Sequence, residues 1–412
     1  MSDITLIFPP SNFLLNQSAF PPLGILYLSA YLKKHNKADV KCIDVGLDGV
    51  FKPEEVTSKL VGVSITTPQR FEAYQIAKEL KEKGHTLIAG GPHATHMPLE
   101  CIEAGFDYVV RGEGEIGLSR IVSGDLDKGE DILQYERYLD VNTEIPVPDR
   151  TALPVVKYQY FVDDEPTTVL MSSRGCPFAC SFCAKLTRKC RIQNAFRTVR
   201  EILHVKEEFG FKGFMFFDDV FTTDKKRLQQ MAFLLNKVVK DEGLKFRCFS
   251  RTNLLDKETC ELLKAMGVVE VGLGVESGSD KVLATNLKGT TRSANTRAVK
   301  LLHESGIRAK AFLIVGLPGE TKETITETCK WVEDAKPDDI DVSILQPLPG
   351  SPIFDNPERF GLHFEYNDNV TWFKGTPGQY KCAVSTDELS SEKLVQYRDM
   401  IEDLYKDKEK LK

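Results

Sequence analysis

The chain has 412 residues, 42% hydrophobic and 28% charged, with a net charge of −6, which leaves room for two or three domains with cores of their own. An acidic balance in which no basic stripe stands out argues against a nucleic-acid-binding protein. The apolar runs are too short to span a bilayer, and Met1 to Thr5 lacks the parts of a secretory signal. The expectation is a cytoplasmic protein with no membrane span, whose ten cysteines stay reduced and serve as ligands, thiols or core residues rather than disulfides.

In chain order, apolar runs at Ile4 to Phe8, Val40 to Asp44, Val61 to Ile65 and Thr86 to Ala89 alternate with helical patterns at Leu23 to Lys33 and Phe71 to Lys83. Strand–helix alternation predicts a parallel, Rossmann-like sheet covered on both faces. Glycine pairs follow two of its strands, Gly90 with Gly91 and Gly112 with Gly114, where such sheets bind ligands. Periodicity then fails, and Pro146, Pro148 and Pro154 mark a connector over 126–168. Six further strands are predicted near Val169 to Ser173, Gly213 to Phe217, Lys245 to Ser250, Val269 to Leu273, Arg308 to Val315 and Ile340 to Gln346. Six strand–helix units make a partial (β/α)6 TIM barrel that does not close. The expected α/β organisation is thus a first domain over 1–125, the connector, a barrel over 169–351 and a small C-terminal helical subdomain over 352–412. A charged helix runs from Thr386 towards Lys412, and Trp372, Phe373, Tyr380 and Cys382 are placed to cover the barrel mouth.

Directly after the first barrel strand stands Arg174-Gly175-Cys176-Pro177-Phe178-Ala179-Cys180-Ser181-Phe182-Cys183. Three thiolates on one loop can hold three irons of a [4Fe–4S] cluster and leave the fourth iron open. A zinc site would want a fourth ligand; Cys190 lies seven residues beyond Cys183, which breaks common zinc spacing.

The CxxxCxxC loop, with Phe182 before its last cysteine, resembles the radical S-adenosylmethionine (SAM) superfamily. That resemblance implies that Cys176, Cys180 and Cys183 ligate the cluster, while SAM chelates the open iron and is cleaved to a 5′-deoxyadenosyl radical. It further implies SAM contacts from Phe182 and from successive strand ends. Asp218 and Asp219 fall where the amino group is bound, Arg251 where the carboxylate is bound and Glu276 at the ribose. Gly316 and Gln346 fall in the adenine-side loops. The plainer uses stay open: Asp219 or Glu276 as helix caps, Arg251 in a salt bridge, and glycines for turns.

The first domain resembles the cobalamin-binding domain that precedes many radical barrels. The matching pieces are Pro21-Pro22-Leu23-Gly24, the strand end from Ser64 to Pro68, Gly90-Gly91-Pro92-His93-Ala94-Thr95 and Val110-Arg111-Gly112-Glu113-Gly114-Glu115. Cobalamin contacts are implied for Pro10, Pro22, Leu23, Gly24, Ser64, Thr66, Thr67, Gln69, Gly90, Gly91, Pro92, His93, Gly112, Glu113 and Gly114. The DxHxxG motif whose histidine ligates cobalt is absent, so no lower histidine ligand is expected; the segment Thr66 to Arg70 is the candidate to lie beneath the corrin. A dinucleotide is disfavoured because Pro9-Pro10-Ser11-Asn12 replaces GxGxxG after the first strand.

Together the two resemblances imply a class B radical SAM methyltransferase. One SAM methylates cob(I)alamin, and a second yields the radical that activates an unactivated carbon for methylation. A peptide or protein residue is the favoured substrate, with a glutamine of methyl-coenzyme M reductase as one candidate. Flavodoxin or ferredoxin would supply electrons, and a monomer is expected. The alternatives are a cobalamin-binding radical enzyme performing cyclisation or rearrangement without methyl transfer, and a non-enzymatic scaffold with a structural cluster. A methylthiotransferase is disfavoured because only Cys42 and Cys101 precede the triad. No residue is singled out as the catalytic acid or base.

Overall fold

The computed structural model describes residues 2–11, 14, 16–239, 243–366 and 380–406. They form two compact units, Met1–Tyr160 and Phe161–Lys412.

The first unit is built on strands β1 (Ile4–Phe8), β2 (Val40–Asp44), β3 (Leu60–Ser64), β4 (Thr86–Gly90), β5 (Tyr108–Arg111) and β6 (Ile132–Gln134). All are parallel, in the order β2-β1-β3-β4-β5-β6. The strands are apolar on both faces because helices cover both. Ile7, Val61, Val63, Leu87, Ala89 and Val109 pack with Ile76 and Leu80 of the Arg70–Glu82 helix in one core. The order reverses between β1 and β3, which places the binding edge of such a sheet at their carboxyl ends.

β6 lies within the stretch where periodicity fails. Of its three residues only Leu133 is buried, too little for a pattern to show. The rest of that stretch up to Tyr160 is tied to the same unit. Asp149 accepts from Ser29 Oγ at 2.8 Å and Lys33 Nζ at 2.7 Å, and Tyr158 donates to buried Asp44 at 2.6 Å.

The second unit begins with the antiparallel hairpin β7 (Phe161–Val162) and β8 (Glu165–Leu170), followed by the short pair β9 (Ser173–Arg174) and β10 (Arg191–Ile192). Then come β11 (Gly213–Phe216), β12 (Lys245–Arg251), β13 (Val268–Glu276), β14 (Arg308–Val315) and β15 (Asp339–Ile344). The sheet order is β15-β14-β13-β12-β11-β8-β7, so six parallel strands stand in chain order and the barrel stays open. Phe214, Phe216, Phe221 and Phe246 stack beneath it, with ring centroids 4.1 to 5.8 Å apart. The strand expected over Val169 to Ser173 divides in two. β8 ends at Leu170, and Ser173 opens a separate hairpin, because Ser172 between them turns to hydrogen-bond Asp218 through both its N–H and its hydroxyl.

The Ser391–Tyr405 helix belongs to this same compact unit and covers the edge strand β15. Arg398 Nε donates to the Val342 carbonyl at 3.3 Å, and Glu402 accepts from the Val342 N–H at 3.4 Å, so an ion-paired Arg398–Glu402 couple satisfies the outer edge of β15 where no further strand pairs. The Tyr380 hydroxyl accepts from Arg398 at 2.6 Å. The remaining hairpin is β16 (Leu362–Phe364) with β17 (Val384–Thr386). Trp372 and Phe373 lie outside the described residues. No helix among the described residues is long and apolar enough to cross a membrane.

Arg398 is 1% exposed, so Glu402→Ala leaves a buried guanidinium short of its partner. Breaking a buried pair in this way costs about 3–5 kcal/mol. The urea midpoint of the second unit should drop accordingly, whereas a shift under about 1 kcal/mol, the scale of a surface pair, would remove the edge-capping role.

Candidate active site

The cysteines sit on a loop closed at its base by β9 and β10, where Arg174 pairs with Arg191 and Ser173 with Ile192. The two arms fold against each other. Cys176 N–H donates to the Thr187 carbonyl at 3.3 Å. Gly175 has φ +87, and a Cβ there would stand 2.6 Å from the Lys189 carbonyl, so only glycine lets the arms close. Midway, Ser181 bonds Asn286 through both backbone N–H and hydroxyl, and its carbonyl accepts from Ile353 N–H. Burial pushes the Cys183 thiol up to about 11, Lys185 opposing the rise and the Cys180 and Cys176 thiols adding to it. Iron ligation deprotonates thiols so placed.

Two cations grip the loop's aromatic residues. The Arg251 guanidinium lies 4.0 Å from the Phe178 ring centroid and donates to Cys180 Sγ at 3.2 Å. Lys288 Nζ lies 5.9 Å from the Phe182 ring and 2.6 Å from Glu276 Oε1. Glu276 ends β13 at a bulge with φ +65. It caps no helix; its carboxylate is held by Lys288. A Cβ on Gly274 would come within 2.8 Å of both Glu276 Oε1 and Lys288 Nζ, which explains the glycine. Sequence pattern does not single out Lys288, because it lies in a turn after a helix and meets Glu276 only through the fold.

Asp218 is buried and saturated by Ser172 N–H and Oγ, both at 2.6 Å, with Arg227 at 3.8 Å. It braces the end of β8 against β11. Asp219 is exposed beside it; desolvation and Asp218 raise its carboxyl, and Lys185 opposes them. The Lys185 ammonium is buried and hydrogen-bonded to none of the described residues. A buried ammonium that makes no such hydrogen bond, two residues from Cys183, is what a ligand carboxylate would satisfy. Gly316, at φ +92, packs on Leu394, and Gln346 lies half-buried beyond β15.

At the carboxyl edge of the first unit, Gln69 ties two strand ends together. Its amide donates to the Pro9 carbonyl and Ser11 Oγ at 2.8 Å, and its oxygen accepts from Thr66 Oγ1 at 2.7 Å. Pro10 follows β1, Ser64 ends β3, and Pro22 and Leu23 lead into the first helix with Gly24 exposed behind them. Gly24 and Gly90 have ordinary φ values, and a Cβ on either would meet no protein atom within 4 Å. Neither conformation nor packing asks for glycine there. Gly112, at φ +77, is equally uncrowded; Gly91, at φ +92, packs on Ile65. Gly114 opens the Gly114–Ser123 helix against Leu28, after half-buried Glu113, and Pro92 is exposed.

His93 is fully buried. Its Nε2 lies 2.8 Å from Tyr74 Oη and its Nδ1 3.3 Å from Thr67 Oγ1, while Tyr74 also donates to Glu100. The imidazole is therefore withdrawn into the unit and its nitrogens are spoken for. Arg70 is likewise turned inward, donating to the Thr67 carbonyl at 3.0 Å and pairing with Glu100. Of the segment expected beneath the corrin, that removes the guanidinium.

The second unit is thus an open parallel half-barrel bearing a three-thiol loop at its strand ends, and the first a Rossmann-like parallel sheet. Comparison with known proteins agrees. Residues 170–332 match the radical SAM superfamily and residues 17–122 the B12 binding domain. An uncharacterised methyltransferase of Pyrococcus horikoshii is 31% identical over 390 residues, spanning 85% of this chain and 82% of its own. The anaerobic magnesium-protoporphyrin IX monomethyl ester cyclase of Rubrivivax gelatinosus is 29% identical, over 92% of this chain and 73% of its own. Among solved structures, the radical SAM methyltransferase TsrM from Kitasatospora setae, with cobalamin and a [4Fe–4S] cluster bound, superposes with a TM-score of 0.71 at 18% identity, covering 90% of this chain and 78% of that one. The chain belongs to the cobalamin-dependent radical SAM methyltransferase family, whose cofactors are a [4Fe–4S] cluster, SAM and cobalamin.

The turn after β14 holds a carboxyl whose titration is shifted chiefly by burial, the Gly316 N–H opposing the shift. Glu320 is 1% exposed and accepts from the Gly316 N–H at 2.5 Å; burial pushes it up from 4.5 to about 8. A raised folded-state value favours the neutral acid. Its stabilisation is complete below about pH 4.5 and is lost as pH rises through 8. Wild-type protein should therefore lose stability on the order of a few kcal/mol across that window, and Glu320→Gln should flatten the loss. Parallel denaturation midpoints for the two proteins from pH 5 to 8 would show that the carboxyl is not neutral.

Proposed function

We propose that this protein transfers a methyl group to an unactivated carbon, using a 5′-deoxyadenosyl radical for hydrogen abstraction. The observation that carries the reading is the three-thiol loop clamped by Arg251 and Lys288, in a chain whose first unit keeps Gly24 and Gly90 without any need of its own. When bound, the cluster supplies the electron that cleaves SAM, and cobalamin carries the methyl group.

The chain's own residues divide the work as follows. Cys176, Cys180 and Cys183 hold the cluster. Arg251 fixes Cys180 by hydrogen bond and Phe178 by stacking. Lys185 and Asp219, coupled to each other beside Cys183, offer opposite charges to the carboxylate and ammonium of SAM. Glu276 offers its remaining acceptor capacity to the ribose hydroxyls. Asp218 acts only through Ser172 and is a positioning residue. A peptide or protein carbon is the proposed substrate class.

The likeness to a cyclase over 92% of the chain favours a second reading, radical cyclisation without methyl transfer. Anaerobic turnover with methyl-deuterated SAM, offered candidate peptides and tetrapyrroles, separates the two. Methylation gives 5′-deoxyadenosine and a product carrying one labelled methyl, whereas cyclisation or rearrangement gives 5′-deoxyadenosine and a product without label. Cys180→Ala should abolish both 5′-deoxyadenosine and product; cleavage of SAM at the wild-type rate by that variant would overturn the cluster assignment.

With His93 withdrawn and the Arg70 guanidinium turned inward, no nitrogen ligand to cobalt is expected from this part of the edge. Electron paramagnetic resonance of bound cob(II)alamin should lack axial nitrogen splitting. A resolved nitrogen triplet that disappears in His93→Ala would show that the loop rearranges to deliver the imidazole.

A further inference from the structure

One short turn, Asn286 to Gly289, reaches four of the elements that bear the site. It joins the Asp280–Thr285 and Arg292–Glu304 helices. Lys288 meets Glu276 at the end of β13, and the Gly289 carbonyl accepts from Asn253 Nδ2, two residues past β12, at 3.2 Å. Asn286, fully buried, takes the other two. On the cysteine loop, Ser181 gives its hydroxyl to Asn286 Oδ1 at 3.0 Å and its N–H to the Asn286 carbonyl at 3.1 Å. In the turn after β14, the Pro318 carbonyl accepts from Asn286 Nδ2 at 3.0 Å.

Ending a helix asks for less than this. The Asn286 N–H bonds the Val282 carbonyl at 3.1 Å and so closes the helix through the backbone; Nδ2 adds a second bond to the same carbonyl. The bonds to Ser181 and Pro318 serve two other loops. Leu287 shows what they demand of the turn. It is left-handed, with φ +51, and 59% exposed, which lets Asn286 and Lys288 on either side of it both face inward. The turn after β14 is itself closed: Glu320 accepts from the Gly316 N–H and donates its own N–H to the Leu317 carbonyl. Glu276 pairs in register with Leu313, so this turn stands beside the carboxylate assigned to the ribose. A shift of the cysteine loop therefore passes through one buried amide to the neighbourhood of the nucleoside.

We infer that Asn286 is a positioning residue through which a filled cluster raises the affinity of the barrel for the nucleoside half of SAM. The inference rests on the cluster and SAM reading given above. Thiolates bound to iron hold the cysteine loop in one arrangement, and Ser181, Asn286 and Pro318 are then held with it. The nucleoside meets a turn that is already ordered, so its binding no longer carries the cost of ordering it. The coupling is reciprocal: a bound nucleoside favours the loop arrangement that the cluster needs.

The probe is 5′-deoxyadenosine, which carries the nucleoside without the amino and carboxylate groups that would reach iron. Its affinity is measured by calorimetry on full-length protein, with and without the reconstituted cluster. The wild type should bind it about fivefold or more tightly when the cluster is present. Asn286→Leu fills the same space but makes neither loop bond, and should bring the two affinities within about twofold at wild-type iron content. Ser181→Ala removes only the hydroxyl bond; it should give an intermediate ratio and keeps the test open if the leucine variant misfolds. Equal affinities in the wild type would overturn the inference, as would a wild-type ratio in both variants. Weakening of both forms by the same factor, with the ratio kept, would reduce Asn286 to a helix cap. Iron is counted first, so a wild type that assembles no cluster strikes the site reading, whereas full iron without coupling strikes this inference alone.

Discussion

The cluster loop would have little reason to keep one shape without the two cations that meet it from the barrel. Arg251 comes from the end of β12, and Lys288 from the turn that follows the helix after β13; they engage Phe178 and Phe182, four residues apart on the loop. A cation over an aromatic face contributes about 0.5–2 kcal/mol, and the Ser181–Asn286 bonds add a fixed point between the two contacts. The buried Glu276–Lys288 pair contributes little net stability, because desolvation offsets its attraction. Its effect is geometric: it sets where the ammonium stands, and Gly274 gives up a side chain to make room.

The same clamp bears on electron chemistry. An N–H donated to a cysteine sulfur withdraws charge from the ligand, and hydrogen bonds to sulfur are among the determinants of cluster potential. Arg251 is thus a structural brace and an electrostatic one through a single contact at 3.2 Å. Parallel strands make this economical, since every strand of the half-barrel delivers its last residue to the same edge.

In the first unit the polar groups near the carboxyl edge are largely committed to one another. Gln69 joins the ends of β1 and β3, and His93, Tyr74, Glu100 and Arg70 form a connected network below. Satisfied buried polar groups rigidify a loop, so the edge is held firm while Gly24, Gly90 and Gly112 stay uncrowded. A rigid floor with uncrowded glycines suits a large, flat ligand better than a small one that needs many side-chain contacts.

The strand–helix alternation, the open six-strand barrel and the thiol triad were legible from residue order, because each depends on local periodicity or on close spacing along the chain, whereas the cofactors followed from the resemblance those motifs carry. What the sequence could not show were contacts between residues far apart in it. Lys288 for Glu276, Arg251 for Cys180, Ser172 and Arg227 for Asp218, and the burial of His93 are all such pairings. Asp218 and Asp219 are neighbours of one type just past the end of β11, yet the first is buried against Ser172 and the second is exposed. The helix at the end of the described chain reads in sequence as a separate charged element; only the fold shows Arg398 and Glu402 satisfying the backbone of Val342 on an edge strand. Periodicity states which residues share a face, but which partner that face meets is decided by the packing of the whole sheet.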